Sequence, residues 1–583
     1  MLDLSVLDIV IIEAFIIFNA IVGFSTRGRS KTFTDYASGK DGNYSDLSIV
    51  ATIVALFCSA SLFIAGVEQM YLQGYFIFFS YFIAEMVACL ITIFIYIPKL
   101  IYIRSITLHE YVAHFYGDNI RFVFALCEAC QRIGRFTIQL IIIGKCASYS
   151  LKLSPYYCNM LIWCVTIIMM IYSAYGGLKS VTMTDIVQTA TFIIVIPTIA
   201  LYIWYKTGLT TGGHEGFFEL FSGKDPKMTF YGTFSDPVVC ISAIAMLTRS
   251  ALCTPLNIPY FQRILMAKTL LRAQKLFSIA SVVYGLIVLV IFFIGLQLLG
   301  ITEGIDPDTY EKMTTERIIP YMLDKFSFPS LRILFLLCII SLSISTSDSE
   351  FNGISVLLTN DVLHYISPSR FQKTKKTAII SISIIGISSL FLALYFKDIF
   401  NLLMTVQNFF QPIVVIPLSM TVLGFRTHKN VIWLGVICGA LVTASYAFFL
   451  NLFGYGDQAQ FSFGPGMIAN FIGIILGHLY YTKIKGWKND KEEPYYDPYP
   501  PEQNAAMLRR AETGEWMDKF DKEMEKKKFE KKYKEIMIEK MKRTVEEYEE
   551  EKQKKEEEMN KTIENVRKNI LNSKKKEEEQ LNK

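Results

Sequence analysis

Thirteen runs of mostly apolar residues follow one another along the chain, at 5–24, 47–72, 75–98, 119–150, 157–175, 182–205, 236–258, 277–300, 331–362, 377–396, 399–424, 430–450 and 464–486. A run of about 20 such residues is what a helix needs to cross the hydrocarbon core, and a helix satisfies every backbone polar group there. The pattern therefore predicts an all-α integral membrane protein with about 13 transmembrane helices. Charge agrees. Residues 487–583 hold 25 of the 58 Lys+Arg and 26 of the 53 Asp+Glu, which leaves 33 and 27 for the first 486 residues. A soluble domain carries about 25% charge, twice that density. A soluble enzyme, a disulfide-rich secreted domain and a wholly disordered chain are excluded. The 11 cysteines all lie before residue 439, almost all in apolar runs, where they read as small hydrophobes. Cys127 and Cys130 form a CxxC inside an apolar helix with no second pair, which gives no metal or redox signal.

Asp3 and Asp8 at the start of the first run, with Arg27, Arg29 and Lys31 after it, fit a retained helix with its N-terminus outside. The positive-inside rule extends this orientation. The loops it places inside carry, among others, Lys99, Arg104, Lys179, Arg263, Lys268, Arg272, Lys275, Arg370, Lys373, Lys375, Lys376, Arg426 and Lys429. Thirteen spans then leave the C-terminus in the cytoplasm. The Pro/Tyr linker Pro494–Pro501 leads into a charged tail that reads as largely helical from 503 to 580. Its sparse apolar residues, from Met517 to Ile570, fall at spacings of three and four, which allows either a short coiled-coil seam or a single solvated helix held by Glu–Lys pairs.

Ionisable residues inside a span are costly and point to function. The runs hold Glu128, Arg132, Arg135, Asp185, Arg249, Asp348 and Glu350. Internal ion pairs explain some of these; seven together favour a transport pathway. The run at 331–362 contains Ser341-Leu342-Ser343-Ile344-Ser345-Thr346-Ser347-Asp348-Ser349, a dense array of hydroxyl and carboxylate oxygens of the kind a hard, partly dehydrated cation requires. The alternative is hydroxyls bonding back to their own helix. Two runs are interrupted by small residues or proline, at 58–66 and 249–259, the first and sixth runs after the N-terminal one. Broken helices at matching positions of two five-helix halves are the sequence pointer to an inverted-repeat secondary transporter.

Four motifs in register then resemble the sodium:solute symporter family, which includes sodium/glucose, sodium/proline, sodium/pantothenate and sialic acid transporters. Gly176-Gly177-Leu178-Lys179-Ser180-Val181-Thr182-Met183-Thr184-Asp185-Ile186-Val187-Gln188 is similar to the family's GG-x-x-[SA]-V-x-x-TD-x-x-Q. Ser345-Thr346-Ser347-Asp348-Ser349, continuing to Thr359-Asn360-Asp361-Val362, resembles its MST-x-DS…T-x-D-[IV]. Pro259–Lys268, with Gln262 and Arg263, and the Asp35-Tyr36 segment before the second run complete the match. The resemblance implies the LeuT-type five-plus-five inverted repeat. It divides the chain into an extra N-terminal helix and loop (1–46), a first repeat (47–205), a second repeat (236–424), two C-terminal helices (425–486) and the tail (487–583).

The same resemblance implies a main Na⁺ site from the carbonyls of Ala55, Cys58 and Leu342 and the hydroxyls of Ser345 and Thr346. A second Na⁺ site, present in some members, falls on Asp185, Asp348 and Ser349. The solute cavity falls on Phe57, Ser59, Ser61, Tyr81, Arg135, Gln139, Ser250 and Gln407. Phe57 and Phe82 stand where sugar-transporting members carry polar residues, which argues against a sugar. Arg135 resembles an arginine of the sialic acid members and implies a carboxylate ligand; the alternative is a pair with Glu128, seven residues earlier. The expectation is a non-enzymatic, sodium-coupled symporter in the lipid bilayer of a cell (plasma) membrane, importing a small-molecule solute, a carboxylate or amino acid. Rival readings are a proton-coupled carrier of the same fold, a sugar symporter, and a membrane sensor whose tail recruits a cytoplasmic protein partner. Nothing in the sequence points to nucleic acid.

Overall fold

A computed structural model describes residues 6–25, 33–38, 44–74, 76, 78–103, 105–151, 154–210, 244, 247–302, 329–395, 406, 410–453, 462–481 and 559–560. The chain divides into two compact units, Met1–Trp487 and Lys488–Lys583. The expected tail helix and its seam lie outside the described residues, apart from Met559 and Asn560. The runs at 236–258 and 399–424 lie partly outside them.

The regular structure of the first unit is helical among the described residues. Its main helices are α1 (Val6–Phe24), α2 (Asp46–Phe57), α3 (Ala60–Gln73), α4 (Ala84–Ile91), α5 (Leu108–Tyr116), α6 (Asp118–Leu151), α7 (Pro155–Gly176), α8 (Leu178–Thr210), α9 (Ile258–Met266), α10 (Leu270–Thr302), α11 (Pro329–Leu357), α12 (Lys375–Tyr395), α13 (Ile416–Val422), α14 (Lys429–Leu452) and α15 (Phe463–Tyr480). Wider π-helical turns flank α4 at Phe78–Ile83 and Thr92–Tyr96. Among the described residues eight helices are long and apolar enough to cross a membrane, or nine if the bent pair α2–α3 is one span. The 34-residue α6 is long enough but carries buried charge.

One helix is the centre of the bundle. In the span that contains α11, 89% of the most apolar window is buried, against 33–56% in the other spans. Elsewhere a face of each span is left for lipid: Ile194 and Leu201 of α8, Phe391 of α12, Leu441 of α14 and Leu476 of α15 are 60–67% exposed. α8 is stitched between α2 and α11 by hydroxyls, Thr189 Oγ1 donating to the Ala51 carbonyl (3.0 Å) and Ser341 Oγ to the Gln188 carbonyl (3.2 Å). Gly177 makes the elbow from α7 into α8. Its φ of +60° is left-handed, and a Cβ there would lie 2.5 Å from a ring carbon of Tyr36. Only glycine fits, and this elbow sets the register that brings Asp185 inward.

The first interrupted helix breaks where the sequence predicts. Cys58 and Ser59 are extended (φ −90°, ψ 121° and φ −126°, ψ 157°), and α2 and α3 meet at 50°. Ser59 caps α3, its Oγ accepting from the Leu62 N–H at 3.1 Å. The second break also appears. A helical turn over 247–253 passes through a tight turn at Thr254–Leu256 and extended Asn257 before α9 begins.

Two expectations about charge need correction. Arg263 and Arg426 read as cations of cytoplasmic loops. The structure buries both: Arg263 is 0% exposed, and Arg426 lies 3.8 Å over the Phe115 ring. Long cations are not confined to loops when partners are fixed around them.

Candidate ion and solute site

The break between α2 and α3 leaves a gap in the backbone ladder. Cys58 N–H closes on the Val54 carbonyl, and bonding resumes with Phe63 N–H on the Ser59 carbonyl. The carbonyls of Ala55 and Cys58 lie in that gap, and both residues are buried. α11 packs against both halves of the broken helix. It brings Leu342, Ser345 and Thr346, all buried. Thr346 Oγ1 donates to the Leu342 carbonyl (3.0 Å) and Ser345 Oγ donates to Asp185 Oδ1 (2.8 Å). Each hydroxyl thus has its proton committed elsewhere, which leaves its lone pairs free to accept. Ser343 and Ser347 are also buried, and among the described residues their hydroxyls have no partner. Of the hydroxyls between 341 and 349, Thr346 alone has a described bond back to its own helix, so the packing explanation accounts for little of the array.

The three residues expected to form a second ion site are not equivalent. Asp185 accepts from Thr52 Oγ1 and Ser345, and Arg263 Nη2 lies 3.6 Å from it. Ser349 Oγ accepts from the same Arg263 Nη2 at 2.7 Å. A guanidinium therefore already faces two of the three. Asp348 instead accepts from the Tyr172 hydroxyl and from Thr184 Oγ1 (3.3 Å). Arg263, Thr52 and Tyr172 were not singled out as site residues by sequence, although Arg263 stood inside a matched motif.

On the solute side, Ser59 Oγ and Ser61 Oγ are 2.9 Å apart and Gln139 Nε2 donates to Ser61 Oγ (3.3 Å). Gln139 Oε1 is buried with no partner among the described residues, as an acceptor reserved for a ligand would be. Phe57 stacks on Tyr284 (4.9 Å between centroids) and packs on Tyr260 (5.4 Å). Ser250 Oγ donates to Glu85 Oε1 (2.7 Å), and Arg249 Nη2 lies 3.6 Å from the same oxygen. Glu85 is an acid inside an apolar run; the rule that flagged the other seven charges would have found it too. Gln407 lies outside the described residues.

Arg135 does not meet Glu128, the protein partner expected for it. Its Nε lies 3.3 Å from Glu350 Oε1, on α11. Glu128 is taken by Arg132, whose Nε donates to Oε1 at 2.7 Å, and by His109, whose Nε2 is 2.6 Å from Oε2. Arg132 also donates to Glu350 (2.6 Å) and to Asn257 Oδ1 (3.2 Å), and the Ile258 N–H donates to Glu128 (3.3 Å). The spacing explains the error: seven residues are about two turns, some 10 Å of rise, whereas four residues place Arg132 one turn from Glu128. Arg135 remains the most open of these charges, with 31% of its side chain exposed against 0–2% for Glu128, Arg132 and Glu350.

Beyond the bundle centre, Arg121 Nε donates to Asp361 (2.6 Å) and Lys373 reaches Glu110 (3.2 Å). Burial pushes the Glu110 carboxyl up, but Lys373 and Arg121 beside it outweigh that and hold it below the usual carboxylate range. This cluster ties α5 and the start of α6 to the end of the α11 span.

The model of the sodium:solute symporter family matches residues 41–439. The chain belongs to the sodium:solute symporter family. It is a transporter rather than an enzyme, a multi-pass membrane protein with sodium as its coupling ion. Among solved structures it is similar in fold to a Na⁺-coupled sialic acid symporter in a substrate-bound outward-open state: TM-score 0.69, 18% identity, 84% of this chain and 100% of that one covered. Weaker likenesses include a manganese transporter of Eremococcus coleocola (TM-score 0.47, 12% identity, 77% and 99% covered). Another is Mhp1, a nucleobase-cation-symport-1 family transporter (TM-score 0.47, 14% identity, 80% and 97% covered). A search of curated protein sequences found no match.

Proposed function

We propose that this symporter imports a small solute bearing a carboxylate, bound at Arg135 beside a sodium ion held by Ala55, Cys58, Leu342, Ser345 and Thr346. The observation that supports the reading most is the pairing of an open backbone ladder at residues 55–58 with α11 hydroxyls whose protons are already committed. Carbonyl and hydroxyl oxygens without a net negative charge suit a monovalent hard cation, whose weak binding lets it leave again. Asp185 acts through Ser345, orienting its lone pairs, and needs no second ion of its own while Arg263 faces it. Whether Asp348 and Ser349 add a second site is read from the stoichiometry.

The ion fastens α2 and α3 to α11, so its binding favours the state in which the broken helix is assembled. The solute meets Ser59, Ser61 and Gln139 at the same break and binds better with the ion present. One Na⁺ moving down 100 mV supplies about 2.3 kcal/mol and a tenfold gradient about 1.4 more. The two repeats, 47–205 and 236–424, rock around this point in our reading, with thirteen spans, the N-terminus outside the plasma membrane and the charged tail inside, where a protein partner is free to meet it.

The test is a thermal-shift screen of the full-length protein against amino acids, organic acids and sugars in Na⁺ and in K⁺. A stabilising carboxylate seen only in Na⁺ is the expected outcome. A sugar that stabilises while carboxylates do not overturns the solute class. Stabilisation equal in the two salts overturns the ion site.

A further inference from the structure

Glu85 is the acid of this site that the reading above leaves without a task. It sits in α4, one turn after Tyr81, and is buried. Both of its close contacts fall on one oxygen: Ser250 donates to Oε1 and Arg249 lies 3.6 Å from Oε1. Among the described residues Oε2 accepts no hydrogen bond. A separation of 3.6 Å is too long for the charge-assisted bonds of a committed Arg–carboxylate pair, which run to about 2.7–2.9 Å. Compare Arg132 with Glu350 at 2.6 Å in the same protein. Glu85 is thus a half-used carboxylate with Arg249 loosely beside it.

Its surroundings define what it would take. Glu85 lies within electrostatic reach of the Tyr81, Tyr260 and Tyr284 hydroxyls, and Arg135 within reach of Tyr81 and Tyr260. An acid and an arginine therefore act on the same two tyrosines. Phe57 packs against Tyr260 and Tyr284, which makes these tyrosines part of an aromatic wall. Aromatic faces attract cations and reject anions, so this wall suits an ammonium next to Glu85 and not a second carboxylate.

We propose that Glu85 binds the ammonium group of the solute, so that the solute is a zwitterion of the α-amino acid type. This rests on the reading that Arg135 takes the carboxylate, and it adds the second half of the ligand. It also assigns specificity to a residue outside the positions the family motifs imply.

The experiment uses the full-length wild-type protein in proteoliposomes and measures ²²Na⁺ influx driven by external solute. The probes are the proteinogenic L-amino acids, with leucine and phenylalanine each compared with its deaminated acid (4-methylpentanoate, 3-phenylpropionate) and its decarboxylated amine (isoamylamine, phenethylamine). Amino acids are expected to drive influx, and removal of either group is expected to raise half-saturation at least tenfold. Deaminated acids as effective as their parents overturn the ammonium site and leave the Arg135 reading standing. Amines as effective as their parents overturn the Arg135 reading and the zwitterion with it. Failure of every amino acid to drive influx overturns the proposal outright. Glu85→Gln retains the Ser250 contact and is expected to abolish the preference for parent over deaminated acid. A lowered thermal midpoint with that preference intact would make Glu85 structural.

Discussion

The two helix breaks are built from opposite materials. At Cys58–Ser59 the neighbours are neutral: Ser59, Ser61, Gln139 and the hydroxyls of α11. At Asn257 the neighbours are charged, with Arg132 on the asparagine side chain, Glu128 on the Ile258 N–H, and His109 and Glu350 behind them. In the second set the charges close on one another. Two carboxylates face two guanidiniums, and the broken helix hangs its loose backbone on them. The first set does not close, since among the described residues no loop or cap N–H reaches the Ala55 or Cys58 carbonyl and the Gln139 oxygen has no partner. A break whose polar groups are satisfied from inside is a fixed wall or hinge. A break left unsatisfied at the centre of a membrane protein is a place that a ligand completes.

The largest effect should come from opening the charged set. Arg132→Gln leaves Glu128 and Glu350 short of their shared guanidinium, a loss of about 3–5 kcal/mol for a buried pair. Expression and the thermal midpoint in detergent should collapse together. Normal stability with lost transport would move this cluster from scaffold to ligand site.

Asp185→Asn strikes the seam between the two sets. It uncovers the buried Arg263 charge and removes the acceptor that orients Ser345. A stability loss of about 1–3 kcal/mol should accompany a raised Na⁺ half-saturation, with the ranking of solutes unchanged. A changed ranking with unchanged Na⁺ dependence would place Asp185 in the solute pocket.

Arg135→Lys is smaller and lies on the solute side. The charge near Glu350 survives and the two-pronged grip is lost, so affinity for a carboxylate solute should fall by about 1–3 kcal/mol while folding survives. The methyl ester of that solute should compete poorly even with the wild type. If Arg135 serves only Glu350, Arg135→Gln should cost expression and Glu350→Gln should restore both expression and uptake.

Local chemistry was readable before the fold. The residues that break the two helices and the hydroxyl array on α11 sit within single short segments, and composition alone reveals them. The Gly176-Gly177 motif is also local, and the structure supplies its reason, a positive φ at Gly177. Pairings were less legible. Arg135 finds Glu350 across 215 positions, and His109 reaches Glu128 from another helix. Sequence spacing carries no trace of such contacts. Arg263 shows the same limit from another side. Counted as a loop cation, it is instead the counter-charge of Asp185, because α9 turns back into the bundle after its break. Glu85 was legible and missed, since an acid among apolar neighbours in a span needs no tertiary contact to be noticed.

The account turns on the neutral break holding sodium with α11, and Thr346→Ala tests that most directly. Thr346 donates only to the Leu342 carbonyl one turn back, so alanine strands no buried partner and the thermal midpoint without Na⁺ should stay as in the wild type. Ser345 is a poorer choice because Asp185 leans on it. The measurement is equilibrium ²²Na⁺ binding to the full-length protein. Loss of one hydroxyl ligand should weaken binding at least tenfold, about 1.4 kcal/mol. Unchanged Na⁺ affinity in a normally folded Thr346→Ala protein would contradict the assignment of the ion to this break.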